Sequence, residues 1–290
     1  SGFVQFRYVY SDDGSDTSSR GFDMDRAQIK FSGKVYDFDY AVSGQWSDSD
    51  FELKDAFLSN NFGGFDVKAG QFVTNFFSGY VSDPTTLVDG DYSITALTYG
   101  QGWSQGLEVS RKFDAFTVYA SYNDGFNTDN STFGDNDYGY SARVEFDAFD
   151  NVTLGGAFAS QNTAAEDYDS YTVDATANFW GFDFNAAYVA SNWNDSWNNY
   201  SLVGTASYDL DDQMQLFAQY EYGVLDGVDT NLNVGTVGVN YNFNSNVRLT
   251  NSFGYSFNGI DSGYNLDDTG WQSSDTDGQY LIRSMIQVTF

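Results

Sequence analysis

The sequence contains no histidine and no cysteine, and it has a single proline. Histidine is the usual general base, and cysteine is the usual thiol nucleophile and soft metal ligand, so catalytic and metal sites built on these two residues are excluded. Ser-His-Asp and Cys-His catalysis are therefore impossible, and no disulfide framework can form. A hydrolase would have to work with an acidic pair or a serine alone. We therefore predict that the protein is not an enzyme.

Long apolar runs are also missing. Hydrophobic residues make up 41% of the chain, yet no stretch approaches the roughly 18 consecutive apolar residues that a membrane-spanning helix needs. Aromatic residues are nevertheless abundant, with 27 Phe and 22 Tyr. Aromatic residues that alternate with polar ones can form a closed sheet with one apolar face, which is the other structure able to cross a bilayer.

Basic residues are few: 12 Lys and Arg stand against 41 Asp and Glu, and the net charge is −29. This charge argues against a nucleic-acid partner and indicates a saline or divalent-rich exterior. Clustered acids offer the oxygen ligands that Ca²⁺ prefers, although no complete calcium-loop motif is present. We therefore predict a Ca²⁺ site at Asp12, Asp13 and Asp16, with a solvated acidic surface as the alternative, and no other cofactor.

Period-two alternation recurs along the whole chain, as in residues 151–159, where Val152, Leu154 and Phe158 share one face. This spacing is typical of β-strands. Sixteen such runs can be counted, at residues 2–11, 22–33, 36–47, 51–62, 64–72, 105–113, 115–124, 137–148, 151–161, 168–179, 182–192, 198–209, 213–223, 232–243, 246–257 and 280–290. The even number predicts an all-β, 16-stranded antiparallel transmembrane β-barrel, formed by residues 1–290 as a single domain. The start at Ser1 is expected of a mature exported chain.

The connections alternate between short and long, which predicts short periplasmic turns and long external loops. The longest irregular connection, Val73–Ser104, follows the fifth strand and contains Pro84. We predict that this third loop folds inward and forms the constriction of the barrel, the alternative being an ordinary external loop. It carries Asp83, Asp89 and Asp91 but no Lys or Arg.

The apolar face of each strand must contact lipid, so the other face points into the barrel. This parity predicts eight inward, pore-lining basic side chains: Arg7, Arg26, Lys30, Lys54, Lys68, Arg143, Arg248 and Arg283. Opposite the acidic loop, they would create a transverse field that orients dipolar solutes. The alternative is that they pair with nearby acids and keep a polar interior satisfied.

Several segments in the first part of the chain resemble the phosphate-selective porin O and P family. The likeness covers about the first 120 residues, including the stretches 2–8, 25–34, 52–58, 67–72, 105–110 and 113–122. The last strand ends at Phe290, which resembles the signal read by the outer-membrane assembly machinery. The resemblance implies a homotrimeric porin in the bacterial outer membrane, with lipid around it and small hydrophilic solutes and ions passing through it.

Four functions remain open at this stage. A passive diffusion pore leads, followed by a substrate-selective, anion- or phosphate-type channel of the same fold; a structural barrel or adhesin and a hydrolase come last. The net charge favours cations, whereas the inward basic residues and the resemblance favour anions. Loop charge is screened over roughly 8–10 Å in physiological salt, so the sequence favours anions slightly.

Overall fold

A computed structural model describes residues 1–15, 17–47, 50–126, 137–163, 167–193 and 197–290. Sixteen strands form a closed barrel within these ranges. The strands are β1 Gly2–Asp12, β2 Ser18–Val35, β3 Phe38–Ser47, β4 Asp50–Phe62, β5 Phe65–Val73, β6 Trp103–Phe113, β7 Phe116–Asn123, β8 Tyr138–Phe149, β9 Val152–Asn162, β10 Asp167–Phe179, β11 Phe182–Ser191, β12 Asn199–Asp209, β13 Met214–Val224, β14 Leu232–Asn244, β15 Val247–Ser256 and β16 Tyr280–Thr289.

Each strand pairs antiparallel with its neighbours in sequence, and β1 closes the barrel against β16. The predicted strands are confirmed, with most ends within two residues of the predicted positions. The largest difference is β2, which begins at Ser18 because its pairing with β1 continues as far as Asp12. No helix in the described ranges is long and apolar enough to cross a membrane.

One end of the barrel carries tight turns. Gly63 and Gly64 connect β4 to β5 with φ values of 63° and 89°. Two successive positive φ values are typical of the primed turns that match strand twist, and glycine adopts them without a steric penalty. The other end carries the long connections, and the alternation predicted from the sequence is confirmed.

The two faces of the wall differ in polarity. On β1, Gln5, Arg7 and Ser11 point inward and are buried, whereas Phe6 points outward and is exposed. The outward face carries exposed aromatic and aliphatic side chains around the barrel. An apolar exterior around a polar interior is the arrangement that a lipid environment requires.

Four register shifts break the simple alternation among the described strands, and two of them change which side chains point inward near the third loop. The register between β1 and β2 shifts so that Asp25 has no partner on β1, and both Asp25 and Arg26 are buried inside the barrel. A second shift between β3 and β4 lies beside Lys54 and Asp55, which both contact the interior residue Trp103. One extra residue in a strand re-aims the side chains that follow it. Alternation alone would have placed Asp25 and Asp55 on the lipid side.

The third loop, residues 74–102, leaves β5 and crosses the interior before it joins β6. It contains α1 Ser78–Val81, a 3₁₀ helix Pro84–Thr86 and α2 Ile94–Tyr99. Ser93 caps α2 by accepting a hydrogen bond from Ala96 N at 3.0 Å. Such caps satisfy amides that a helix start leaves unpaired.

Candidate channel constriction

Asp91 of the third loop lies among three arginines of the wall. Its carboxylate oxygens are 2.8 Å from Arg26 Nη2, 2.6 Å from Arg283 Nη1 and 3.1 Å from Arg7 Nη1. These arginines stand on β2, β16 and β1, which adjoin one another at the closure of the barrel. Charge-assisted hydrogen bonds of this length are the strong ones, so Asp91 fastens the loop to this part of the wall.

Three further aspartates complete this cluster. Asp89 contacts Arg283, Asp23 accepts from Arg7 Nη2 at 2.7 Å, and Asp25 is ion-paired with Arg7 Nη1 at 2.7 Å. The three arginine side chains are at most 5% exposed. We call this set the arginine dock; it consists of Arg7, Arg26, Arg283, Asp23, Asp25, Asp89 and Asp91.

A second attachment holds the opposite part of the loop. Glu221 of β13 is buried, and its two oxygens accept from the amides of Ile94 at 3.3 Å and Thr95 at 2.8 Å, at the start of α2. Arg143 of β8 donates to the carbonyl of Phe76 at 3.1 Å and pairs with Asp174. A buried carboxylate that accepts from a helix start satisfies both its own charge and the free amides.

Hydrogen bonds to backbone carbonyls extend these attachments along the wall. Each of four inward side chains donates to a backbone carbonyl of the third loop. The pairs are Gln5 with Gly90 at 2.8 Å, Asn240 with Val88 at 2.9 Å, Arg248 with Leu87 at 3.1 Å and Gln287 with Thr85 at 3.2 Å. The loop is therefore bound along β14, β15, β16 and β1, and the predicted inward fold is confirmed.

Lysines occupy a different part of the wall, on β2, β4 and β5. Lys30 lies 3.4 Å from Asp55, Lys68 lies 3.0 Å from Glu108, and Lys54 contacts Glu52. The Lys30 and Lys68 side chains are 40% and 27% exposed. We call the six residues Lys30, Lys54, Lys68, Glu52, Asp55 and Glu108 the lysine strip; Lys54 and Glu108 are buried, and the other four are partly or fully exposed.

An apolar cluster fills another part of the interior, at the end with the long loops. Ile94 and Tyr99 of the third loop pack there with inward side chains of β9, β11, β12 and β14 and with the last long loop. Tyr99 also stacks on Trp193, with ring centroids 4.8 Å apart. The buried members are Phe76, Phe77, Ile94, Ala96, Tyr99, Phe126, Ala159, Ala187, Val189, Val203, Leu225, Leu232, Val234, Ile260 and Tyr264.

A cavity of about 240 Å³ separates the third loop from β10–β13. The loop contributes Ser82 and Thr86, and the wall contributes Asn185, Thr205 and Gln219. Asp89 and Asp91 are the charged residues among those that line it, and no lining residue is basic. This side of the constriction therefore offers neutral hydrogen-bonding groups together with acids of the arginine dock.

The eight predicted basic residues all point inward, but they do not share one role. Lys30 and Lys68 are partly exposed to the lumen, whereas Lys54 is buried beside Glu52 and the ring of Trp103. Arg7, Arg26 and Arg283 are buried beneath the third loop and form ion pairs with its Asp91. The prediction that these three arginines line the pore is therefore wrong, and they hold the loop instead. Arg143 is likewise buried against Asp174, and Arg248 lies partly buried against Leu87 and Gln287.

The three acids of the third loop also separate. Asp89 and Asp91 are buried in the arginine dock, whereas Asp83 caps the 3₁₀ helix and accepts from Thr85 N at 2.9 Å. The transverse field predicted between free bases and free acids is replaced here by direct ion pairs. Sequence reasoning missed Asp25 because of the bulge, and it missed that Glu221 anchors the loop because the two are 126 residues apart.

The predicted Ca²⁺ site falls only partly within the described residues, because Asp16 lies outside them. Asp12 accepts from Gly14 N at 3.1 Å, and Asp13 accepts from both the hydroxyl and the amide of Ser15. These Ser15 hydrogen bonds lower the pKa of Asp13. The described residues contain no group of three acids placed to hold a metal ion, and Ca²⁺ binding stays a prediction.

Phe290 follows the end of β16, and its ring is 63% exposed. Its backbone exchanges two hydrogen bonds with Gly2, of 2.8 and 2.9 Å, across the closure of the barrel. Ile282, Ile286 and Val288 are exposed on the outer face of β16. The role of Phe290 as an assembly signal stays a prediction.

A family model described as Gram-negative porin matches residues 1–261. The chain belongs to the Gram-negative porin family. The porin is therefore a β-barrel of the bacterial outer membrane that forms a channel for the passive diffusion of solutes. The outer-membrane porin that the sequence resemblance implied is confirmed at this level, and the family and fold point to a channel rather than to an enzyme.

Solved porins share this fold. An anion-selective porin from Comamonas acidovorans superposes with a TM-score of 0.73 at 13% identity, covering 100% of this chain and 98% of that one. Salmonella typhi OmpF in complex with daunomycin superposes with a TM-score of 0.69 at 18% identity, covering 99% of this chain and 96% of that one. OmpT of Vibrio cholerae in its trimer form superposes with a TM-score of 0.68 at 14% identity, covering 100% of this chain and 98% of that one. A comparison with curated protein sequences returns no significant match.

Proposed function

We propose that the porin passes small hydrophilic solutes and ions with a preference for cations. The observation that carries this proposal is the charge balance of the described interior, where ten acids stand against eight inward bases. The cavity beside the third loop has no basic residue in its lining, and its two acids, Asp89 and Asp91, are paired with arginines of the dock. A fixed charge in a narrow aqueous passage attracts ions of opposite sign and repels those of the same sign. The bases that could have favoured anions here are bound to the loop acids.

The ion pairs of the interior also favour cations. Among the described residues, seven of the eight inward bases contact nine acids, Arg248 forms no ion pair, and Glu221 adds a tenth acid without a basic partner. The acids are Asp23, Asp25, Glu52, Asp55, Asp89, Asp91, Glu108, Glu145, Asp174 and Glu221. This balance reverses the slight preference for anions that the sequence alone favoured, since that preference counted the bases without their partners.

A planar-bilayer recording under a KCl gradient tests this proposal. The expected result is large ohmic steps and a reversal potential of the sign produced by K⁺ passing more readily than Cl⁻. A reversal potential of the opposite sign would overturn the cation preference while leaving the diffusion channel intact. The competing candidate, an anion-type channel like the named function of the Comamonas porin, predicts that opposite sign.

We also propose that the porin is a homotrimer embedded in outer-membrane lipid. The trimer form described for Vibrio OmpT supports this assembly, as does the band of exposed apolar side chains, which exceeds what a water-soluble surface carries. Native mass measurement in mild detergent should give three chains, and conductance should close in three equal steps. A single-chain mass under those conditions would refute the trimer.

A further inference from the structure

Only two of the 12 basic residues stand on the lipid-facing side of the barrel by strand parity. Arg20 lies near the start of β2, towards the long loops, and Arg111 lies near the end of β6, towards the short turns. The parity of β6 is fixed by Glu108, which is buried inside against Lys68, and by Leu107, which is exposed outside. Arg111 shares the face of Leu107.

The guanidinium of Arg111 is held between two aromatic rings. Its Cζ lies 4.6 Å from the ring centroid of Phe65 on the adjacent strand and 4.8 Å from that of Phe113 on its own strand. A methyl group added to Gly64 would lie 3.8 Å from Cζ, so the β4–β5 turn borders the third side. Cation–π contacts fix the plane of a guanidinium without using its N–H donors.

Those donors have no acid to bind. No ion pair joins Arg111 to a carboxylate in the described part of the chain, although the protein carries 41 acids and the inward bases Lys68 and Arg143 are paired. Arg111 precedes the end of β6 by two residues, so it lies about 7 Å along the strand from the short-turn rim of the barrel. Lipid headgroups border the rims of a transmembrane barrel, and long basic side chains near a rim direct their charge towards them.

We propose that Arg111, clamped by Phe65 and Phe113, binds the phosphate diester of a phospholipid in the periplasmic leaflet. A guanidinium presents two parallel N–H groups that match two phosphate oxygens, and the flanking rings lie against the glycerol and the upper acyl chain. The site occupies the outer wall and is independent of the ions that pass through the lumen.

Native mass spectrometry of the detergent-solubilised porin, titrated with phosphatidylglycerol, tests the site. Arg111→Gln should weaken the tightest lipid adduct by about tenfold, the usual effect of losing a charged hydrogen bond. Lys34→Gln is the matched control, because it removes the same charge at the same end of the barrel from an exposed side chain. It should leave the adduct unchanged.

Phe65→Leu provides a second variant that keeps the charge and removes one ring of the clamp. It should weaken the adduct by a smaller factor, and heat-modifiable migration on a gel should verify that each variant is folded. Equal lipid binding by folded Arg111→Gln and the unmodified porin would overturn the proposal. Displacement of the lipid by millimolar inorganic phosphate would overturn it too, since the site would then select free phosphate.

Discussion

The arginine dock and the lysine strip have the same origin in sequence but differ in what they do. Both consist of basic residues on the inward face of strands, and both are matched by acids. The dock arginines are at most 5% exposed and share Asp91, whereas Lys30 is 40% exposed and contacts Asp55 alone. Arginine is weakly hydrated and forms several directed hydrogen bonds, so it is suited to a buried contact; lysine is strongly hydrated and suited to a wall in water.

This difference assigns two tasks to one set of charges. The dock determines where the third loop lies and therefore the width of the passage. The lysine strip leaves its charges partly in water, where they can act on solutes. A net charge summed over the lumen would miss this division, because charges that neutralise one another at under 3.2 Å contribute little field elsewhere.

The largest effect is expected from Asp91→Asn. The change removes the carboxylate that three buried arginines share, and breaking a buried ion network typically costs about 3–5 kcal/mol. The third loop should detach from β16, β1 and β2. Single-channel conductance should rise and become noisy, and the temperature at which the barrel unfolds on a heat-modifiable gel should fall.

Asp83→Asn is the control for that experiment. It removes one charge from the same loop, but Asp83 is exposed at a 3₁₀ helix cap and has no ion pair among the described residues. The free energy of unfolding of this variant should differ from that of the unmodified porin by under ~1 kcal/mol. If both variants altered conductance equally, the loop would not be held by the dock.

An intermediate effect is expected when arginine and lysine are exchanged between the two regions. Arg26→Lys keeps the charge in the dock but loses the planar group that bonds Asp91 at 2.8 Å while lying 5.1 Å from the ring of Tyr92. It should destabilise the barrel by about 1–2 kcal/mol. Lys30→Arg in the strip should change stability by less than ~0.5 kcal/mol, because the pair is partly exposed. Chemical unfolding in detergent measures the stability of both variants. Equal losses of stability would refute the distinction between the arginine dock and the lysine strip.

The sequence predicted the barrel well because a closed sheet in lipid repeats one simple requirement along every strand. Alternation located sixteen strands, and Glu108 or Arg143 could be placed inward from parity alone. The partners inside could not be predicted in the same way. Asp91 meets Arg283 across 192 residues, and Asp25 enters the dock through a bulge that alternation does not encode.

The smallest effect on stability, and a measurable one on transport, is expected from the combined variant Lys30→Gln, Lys54→Gln and Lys68→Gln. Each pair has at least one partly exposed member, and buried Glu108 keeps two hydrogen bonds from Asn75 when Lys68 is replaced, so each pair should contribute about 0–1 kcal/mol. Their removal leaves Asp55, Glu52 and Glu108 without cations beside the lumen, so the reversal potential in a KCl gradient should shift further towards K⁺. The shift should shrink as salt rises, because the screening length falls to roughly 3 Å at 1 M. An unchanged reversal potential at low salt would mean that the strip does not border the ion path.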